Sequence, residues 1–382
     1  MDFFEYTNRI IDLAKIRYPL FALFLLSSQI SSAQFFEAEG SDLLMGVGPS
    51  QIAKGGAVVA SVNDIYSIYW NPAGLSDINS TQIAVAGQLN RPLAHLSFAG
   101  AAFALPYLKA LGFKATAGVA FIPRVYFKAD GTFKSNELKT SFLKTALPGM
   151  SGGFTGKIDS ETNDYRIGLG GYFEKLPSLK FGASLGRVKC HTLFSGYRSD
   201  PADPIDMNVH ADAWAADVGI IYKLNDNLSF GAVLKHINGE LDVKTVTKHK
   251  YSSNKRHFKA KFIKDLNIGV NYRLSEKWEF GLGYEMMYGK YSMNQFDFQL
   301  IRFYGAYHSG HYSYHLGLIA PLKIKTDTIK EFKLPFPVMP TVGVDYSVGN
   351  LTIGSAFYVH PVMTFATKQI QAAVDLSVKY SF

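Results

Sequence analysis

Val218-Gly219-Ile220-Ile221-Tyr222 begins a sequence motif that this chain repeats. The motif continues with a turn at Asn225-Asp226-Asn227 and ends with Leu228-Ser229-Phe230-Gly231. Further copies turn at 275–277, at Gly349-Asn350 and, less regularly, at Pro177. Each copy is an alternating apolar run that ends in tyrosine, a short polar turn, and a second run that opens with an apolar-x-apolar-Gly step. Period-two alternation indicates strands with one apolar face, and the short turn joins them as a hairpin. Such regular recurrence predicts a membrane β-barrel.

The stretch 258–274 shows how completely the two faces differ. One parity is apolar and the other polar: Phe258, Ala260, Phe262, Leu266, Ile268, Val270, Tyr272 and Leu274 against Lys259, Lys261, Asp265, Asn267, Gly269, Asn271 and Arg273. A soluble sandwich would also alternate, but it would have to bury the aromatic face against a second sheet. A barrel presents that face to lipid and lines its lumen with the charged face.

The end of the chain has the same pattern. Residues 374–382 alternate up to a terminal Phe382, which resembles the C-terminal signal by which bacterial outer-membrane proteins are recognised for insertion. Marking every alternating segment from residue 81 to 382 predicts about fourteen strands, an even number that suits a closed antiparallel barrel. Connections alternate between short and long, and the long ones, predicted as outer loops, fall at 127–162, 190–210, 241–257 and 321–337.

Residues 1–33 are predicted to be a secretory signal. Basic residues precede an apolar core at 18–26, and Ser31-Ser32-Ala33 supplies the small residues needed for cleavage before Gln34. An uncleaved anchor is the alternative, although the core is shorter than the roughly 20 residues that span a bilayer as a helix.

Composition excludes several classes of protein. The 382 residues carry a net charge of +8, which in an exported β-rich chain is expected to meet anionic lipid headgroups rather than nucleic acid. Cys190 is the single cysteine, so no intrachain disulfide can form. No Gly-x-Ser-x-Gly elbow or phosphate-binding loop is present, so the chain is predicted not to be an enzyme, and no metal site or cofactor is expected.

Residues 34–80 do not alternate and are predicted to form a plug in the lumen. They contain Gly55-Gly56-Ala57-Val58-Val59-Ala60 and, shortly afterwards, Tyr69-Trp70-Asn71-Pro72-Ala73-Gly74-Leu75. These stretches resemble the N-terminal hatch of the FadL-type outer-membrane transporters of hydrophobic compounds. The resemblance extends to the related PorV and PorQ barrel proteins of the type IX secretion system.

The resemblance implies a fourteen-strand barrel closed by a hatch, with hydrophobic ligands such as long-chain fatty acids binding at the outer face and passing through. It places hatch and gating roles on Gly55, Gly56, Asn71, Pro72 and Ala73. For Asn71-Pro72-Ala73, a turn that only shapes the hatch is an equal alternative to a direct gating role.

Pro123 interrupts the third predicted strand, where it removes a ladder hydrogen bond and should force a bulge. In FadL-like proteins a kink in an early strand opens a lateral window to the membrane, so Pro123 is the candidate for a lateral opening. The alternative is a tolerated bulge near the outer rim.

Two further sites are predicted outside the barrel wall. The longest outer loop is expected to offer a ligand groove, unless its apolar residues simply pack on one another: Phe142, Leu143, Leu147, Met150 and Phe154. A basic run is predicted to contact lipopolysaccharide phosphates, with a solvated loop as the alternative: Lys248, Lys250, Lys255 and Arg256.

The function predicted from the sequence is passive uptake of small hydrophobic molecules through the outer membrane of a Gram-negative bacterium. The alternative is a PorV/PorQ-like component of the type IX system that binds cargo or the translocon. A signal ending in Ala-Gln fits the Bacteroidetes, where that machinery occurs. The predicted partners are outer-membrane lipid, lipopolysaccharide and a hydrophobic ligand, with secretion-system proteins in the alternative and no nucleic acid.

Overall fold

The computed structural model describes residues 33–41, 46–90, 93–105, 112–133, 154–197, 201, 204–261, 264–291, 294–326, 338–359 and 372–382. Within them the chain is almost entirely β-structure. The strands are β1 (Ala33–Glu39), β2 (Gln82–Asn90), β3 (Leu93–Leu105), β4 (Phe113–Phe133), β5 (Phe154–Phe173), β6 (Leu179–Tyr197), β7 (Pro204–Lys223), β8 (Leu228–Lys235), β9 (Glu240–His249), β10 (Ser252–Lys261), β11 (Lys264–Arg273), β12 (Trp278–Tyr291), β13 (Asn294–Ser309), β14 (Tyr312–Thr326), β15 (Met339–Val348), β16 (Leu351–Val359) and β17 (Ala372–Ser381).

The described strands close into an antiparallel barrel of fourteen wall strands. Closure occurs where β17 pairs with β2, for example Tyr380 opposite Ile83. The strand β7 pairs with β8 in its lower half and with β9 in its upper half, and β8 and β9 face β11 and β10 respectively. The strands β8 and β9 together therefore form one interrupted wall strand, and β10 and β11 form another. The strand β1 is additional to the fourteen wall strands. The predicted fold class is confirmed.

Side-chain alternation places the apolar face outside, as predicted. On β11, Ile268 and Tyr272 are exposed, whereas Asp265 and Asn267 are buried in the lumen. Aromatic residues mark both ends of the outer apolar belt: on β12, Trp278 and Tyr288 are both exposed and ten residues apart. At about 3.3 Å per residue and a tilt of about 40°, that separation is about 25 Å, the height of an outer-membrane apolar band.

The wall strands extend much further beyond the apolar belt at one end of the barrel than at the other. At one end the strands join by short turns, such as 224–227 between β7 and β8 and 349–350 between β15 and β16. Short turns define the periplasmic end of such a barrel. At the other end β4 to β7, with β9 and β10, continue well past the apolar belt. The prediction of long loops at 127–162, 190–210 and 241–257 was therefore wrong in extent, because much of each segment continues the wall strands.

The strand β7 shows where the membrane boundary lies. Its odd-numbered residues face inward along the whole strand, but Trp214, Val218, Ile220 and Tyr222 are apolar and face outward. Above Trp214 the pattern inverts, and the buried inner face carries the apolar side chains: Ile205, Met207, Val209, Ala211 and Ala213. We call this upper inner surface the outer vestibule. In this upper part of the wall the outer face is polar and the inner face is apolar, as expected where the outer face contacts water.

Residues 46–80 lie inside the barrel, and we call them the lumenal segment. They contain a short helix α1 (Pro49–Ala53), a single turn α2 (Ser67–Trp70) and a 3₁₀ helix (Pro72–Asp77). Among the described residues, no helix combines the length and apolar character needed to cross a bilayer.

Candidate functional site

Asn71 fixes the centre of the lumenal segment to the wall. Its side chain is fully buried, and Nδ2 donates to the carbonyl oxygens of Val59 at 2.7 Å and Ile220 at 3.1 Å. Oδ1 accepts from the backbone N–H of Ala73 at 3.2 Å, so Asn71 also caps the 3₁₀ helix. The Asn-Pro-Ala turn is thus a buried hydrogen-bonded joint between plug and wall.

Wall glycines make room for this turn. A Cβ added at Gly219 would overlap Asn71 Oδ1, and one added at Gly182 would overlap the Pro72 backbone. At Gly231 it would overlap the carbonyl oxygen of Val59. Gly182 and Gly231 each end the apolar-x-apolar-Gly step of one copy of the repeated hairpin, so these two copies also supply the inner surface on which the plug rests.

The paired glycines at the end of α1 form a second joint. Gly55 and Gly56 have φ of +60° and +71°, which only glycine adopts readily. The Gly55 carbonyl accepts from Arg302 Nη1 at 2.7 Å, and the carbonyl of Ala53, two residues earlier, accepts from Thr341 Oγ1 at 2.9 Å. The backbone therefore turns sharply against β13 and β15.

Further polar contacts attach the lumenal segment around the circumference. Ser50 donates to the Asp345 carboxylate at 2.7 Å, Lys379 pairs with Asp64 at 2.8 Å, and Thr116 donates to the Ile78 carbonyl at 2.8 Å. Lys180 also pairs with Asp77. These partners lie on β15, β17, β4 and β6, so the plug is held from several sides rather than hinged at one.

An apolar core lies within the lumenal segment. Tyr66 packs against Phe98 of β3 with ring centroids 4.7 Å apart, and Trp70 Nε1 donates to the Val47 carbonyl at 2.8 Å. Burial raises the pKa of the Tyr66 hydroxyl, which therefore stays protonated. Ile65 and Ile68 complete a core that makes the plug compact.

Charged side chains line one sector of the lumen just above this plug. Arg166 is buried on β5 and donates to Asp164 at 2.7 Å and to Ser184 at 2.9 Å, and it also pairs with Asp217. Arg302 pairs with Glu285, and Lys235 with Asp265. The sector from β5 to β13 therefore offers a paired, polar surface that an apolar molecule would avoid.

The opposite sector, on β2 to β4, is largely apolar, although Gln88, Ser97 and Arg124 are also buried there. Ala86, Phe98, Ala120 and Ile122 are buried there in one cluster with the plug core. Above them, Val125 and Phe127 continue the apolar inner face into the outer vestibule. The inner surface is thus asymmetric, with its apolar track beside β3 and β4.

This track leads to an opening in the ladder between β3 and β4. Their pairing ends at Ala99 opposite Phe121, although 93–98 and 122–127 are both described. Immediately beyond, the β4–β5 register shifts between Pro123 and Val125, so a bulge lies at Pro123. We call this unpaired section the wall gap. The rings of His95 and Tyr126 approach to 4.9 Å across it.

The structure brings only some of the predicted site residues together. The hatch residues Gly55, Gly56, Asn71, Pro72 and Ala73 line the joints between plug and wall, and Pro123 lies in the wall gap. The groove residues Phe142, Leu143, Leu147 and Met150 lie outside the described residues, and Phe154 is the first residue of β5.

The predicted lipopolysaccharide contacts lie on a protruding hairpin. Lys248 is on β9, Lys250 in the turn, and Lys255 and Arg256 on β10, all exposed. On the neighbouring β7, Ile205 lies opposite His249 and nine residues above Trp214. At about 3.3 Å per residue the hairpin tip stands roughly 30 Å along the strand from the edge of the belt.

Sequence reasoning missed the apolar lining of the outer vestibule. Ile158, Phe194, Met207 and Val209 are buried there. A signal was available, because Ile205, Met207, Val209, Ala211 and Ala213 alternate with polar residues. These apolar residues are odd-numbered, whereas the lipid-facing apolar residues further along β7 are even-numbered. Because of this change the stretch resembled a loop.

A closed barrel with an apolar belt, aromatic ends and a plugged lumen defines an integral outer-membrane protein, and its fold is similar to that of the FadL-like channels. The chain is similar to the crystal structure of the P. putida toluene transporter TodX, with TM-score 0.56 and 14% identity over 89% of this chain and 99% of that one. It is similar to the CymD monoaromatic hydrocarbon channel, with TM-score 0.56 and 13% identity over 89% and 98% of the two chains. A Pseudomonas aeruginosa FadL homologue gives TM-score 0.56 and 10% identity over 91% and 99%. No family model and no curated protein matches the sequence.

Proposed function

We propose that this protein is a channel for passive uptake of small hydrophobic molecules across the outer membrane. The observation that carries the proposal is the asymmetry of the inner surface. A largely apolar track on β2 to β4 runs from the outer vestibule to the wall gap, where Arg124 is buried, while the remaining sector carries paired charges. An apolar solute partitions onto such a track and leaves where the wall ladder is interrupted.

The exit is proposed to be lateral, through the wall gap at Pro123. Three features support it: β3–β4 pairing stops at Phe121, the bulge lies at Pro123, and Leu96 of β3 presents an exposed apolar side chain to the bilayer at this height. The lumenal segment blocks the straight path to the periplasm, because it is hydrogen-bonded to the wall on several sides. In this proposal the joints at Gly55-Gly56 and Asn71-Pro72-Ala73 keep the hatch closed.

Monoaromatic hydrocarbons and long-chain fatty acids are the two ligand classes to compare. Arg166, Arg302 and Lys235 are paired with acids, and Arg124 of β4 is a further buried cation, at the bulge itself. The lining is therefore compatible with either class. The TodX and CymD structures carry the names of neutral aromatic hydrocarbon channels.

Uptake into vesicles tests the proposal directly. Purified protein is reconstituted, and entry of radiolabelled toluene and of radiolabelled oleate is compared with protein-free vesicles. We expect faster toluene entry than in protein-free vesicles, and the oleate rate shows whether the site also accepts a carboxylate. Rates equal to those of protein-free vesicles for both probes would refute the channel function.

Restoring the ladder at the wall gap tests the exit. We expect Pro123→Val to lower toluene uptake by roughly three- to ten-fold, because valine supplies the missing N–H and favours a regular strand. Heat-modifiable mobility in gel electrophoresis checks that the barrel still closes. Pro340→Val serves as the matched control, since Pro340 lies on β15 away from the wall gap. Equal uptake by Pro123→Val and the parent would favour a bulge without a transport role.

The basic hairpin and the leader fit the same cellular setting. We propose that Lys248, Lys250, Lys255 and Arg256 contact phosphates of the lipopolysaccharide core, because their height above the belt exceeds that of the lipid headgroups. We also propose that residues 1–33 are removed on export. Loss of lipopolysaccharide co-purification on replacing the four basic residues with glutamine would support the first proposal.

The second candidate is a partner-binding component of a secretion system. The extension of β4 to β7, β9 and β10 beyond the membrane supports it, because these strands offer a broad surface above the bilayer. Mass spectrometry of proteins co-purified in detergent distinguishes the two. A stable complex with a large secretion channel, together with absence of toluene uptake, would favour this candidate.

A further inference from the structure

The strand β1 (Ala33–Glu39) lies on the edge of β4 that β3 leaves unpaired. Its register places Glu37 opposite Lys128 and Glu39 opposite Tyr126. The same part of β4 pairs on its other edge with β5, where Lys128 faces Asp159. Because a strand has two edges, β1 must lie on the side of β3, directly above the wall gap.

The chain then descends the wall gap and enters the lumen. The Ser41 N–H donates to the Pro123 carbonyl at 3.1 Å, at the bulge itself. A Cβ at Gly40, where φ is +109°, would overlap the Arg124 carbonyl, so the crossing is tight and needs glycine. Gly46, only five residues beyond Ser41, already packs against the Trp70 ring inside the barrel. One short segment therefore connects the edge of the wall to the plug.

Attachment of β1 differs from that of the wall strands. Within the described residues the register pairs of β1 are with β4, whereas β5, β6 and β7 are paired along both edges. Its partners, 126–131, lie above the apolar belt, where β5 carries Lys157, Asp159 and Glu161 on exposed or half-buried positions. Backbone groups uncovered there would meet water rather than lipid, so separating β1 avoids the cost of unpaired groups in hydrocarbon.

We propose that β1 is a displaceable strand that closes the outer part of the wall gap, and that its separation from β4 widens the lateral exit. The proposal rests on the proposed function, because it concerns the same opening. Segments that move in gating are drawn from the least stable pairings of a structure, and a strand held on one edge in water is such a segment. Since Ser41 is bonded at Pro123, release of β1 would also free the bulge.

A disulfide between the strands tests the closing role. In a Cys190→Ser background, Glu37→Cys is combined with Lys128→Cys, whose register pairing puts their Cα atoms about 4.5–5.5 Å apart, within disulfide range. The matched control combines the same Lys128→Cys with Asp159→Cys, which locks β4 to β5 and leaves β1 free. We expect oxidation to lower toluene uptake at least about five-fold in the first pair, with recovery on reduction, and less than about two-fold in the control.

Access from the bilayer gives a readout that does not depend on transport. Ile122→Cys, at the inner end of the wall gap, is compared with Ile221→Cys, which is equally buried on β7. Both are labelled by a pyrene maleimide dissolved in the bilayer, in the full chain and after deletion of 35–39. We expect the deletion to speed labelling at position 122 by about three-fold or more and to leave position 221 unchanged.

The outcomes separate the two proposals. Failure of the Glu37–Lys128 disulfide to form, or equal uptake and labelling with and without β1, would overturn the displaceable strand. Labelling that responds to β1 in a protein that takes up no toluene would retain the strand and reject the channel function.

Discussion

At the scale of single residues, glycine decides where the lumenal segment can rest. Gly170, Gly182, Gly219 and Gly231 lie on four neighbouring strands, and a side chain at any of them would overlap the backbone or side chain of the segment. Asn71 then hydrogen-bonds into the space that they leave. Each of these wall positions must therefore be glycine, because the lumenal segment occupies the space that a side chain would take.

This requirement predicts the effect of adding one methyl group. Gly219→Ala should destabilise the folded protein by about 1–3 kcal/mol, because the new Cβ overlaps the buried Asn71 side chain in a packed interior. The midpoint of urea unfolding in detergent, followed by tryptophan fluorescence, measures it. Gly283→Ala is the control, since its Cβ would lie 3.5 Å from Ala57 Cα, an ordinary contact. Equal midpoints for the two variants would show that the plug adjusts freely.

At the scale of elements, β7 combines two environments in one strand. Below Trp214 the apolar residues Val218, Ile220 and Tyr222 face lipid while Ile221 is buried, and above it the apolar residues face the outer vestibule. The side chains alternate between the two faces along the whole strand. What changes at the membrane boundary is which face carries the apolar residues. The interruption of β8 and β9 near His236, which has φ of +58°, lies at a similar height.

Two neighbouring positions on β7 separate these faces experimentally. Val209→Thr should lower toluene uptake about two- to five-fold, since a hydroxyl makes the vestibule lining more polar at constant side-chain size. His210→Thr changes the outward face and should leave uptake unaltered. The measurement is initial uptake rate in vesicles at matched protein density. An equal loss in both variants would point to general distortion of β7.

At the scale of the whole molecule, the apolar belt and the plug define what touches lipid. Trp214 and Trp278 are exposed at the two ends of the belt, whereas Trp70 is buried in the lumenal segment. The barrel therefore places its three tryptophans in two different surroundings.

Brominated phospholipids test this placement. In single-tryptophan variants with phenylalanine at the other two positions, we expect lipid brominated near the headgroup to quench Trp214 and Trp278 strongly and Trp70 little, because bromine quenches over short distances. The readout is emission intensity in reconstituted vesicles. Strong quenching of Trp70 would contradict a lumenal position for residues 46–80.

Much of the wall was predictable from the sequence because the alternation of apolar and polar residues in each strand is visible within that strand alone. The repeated hairpins were predicted to turn at 225–227 and at Gly349-Asn350, which is where β7 joins β8 and β15 joins β16. The upper halves of β4 to β7 were not predicted as strand, since above the membrane the outward face turns polar and the apolar residues change to the opposite parity. The hatch motif was recognisable, but its partners were not.

The sequence by itself determined the barrel, its strand number and its inside and outside, because these follow from a period of two that each segment carries locally. Only the tertiary structure decided that β3 parts from β4 at Phe121, that β1 takes the vacant edge, and that Asn71 is held by carbonyls of Val59 and Ile220. These features join residues far apart in the chain, and no local pattern encodes them. They depend on which surfaces meet once the barrel has closed around its own N-terminal segment.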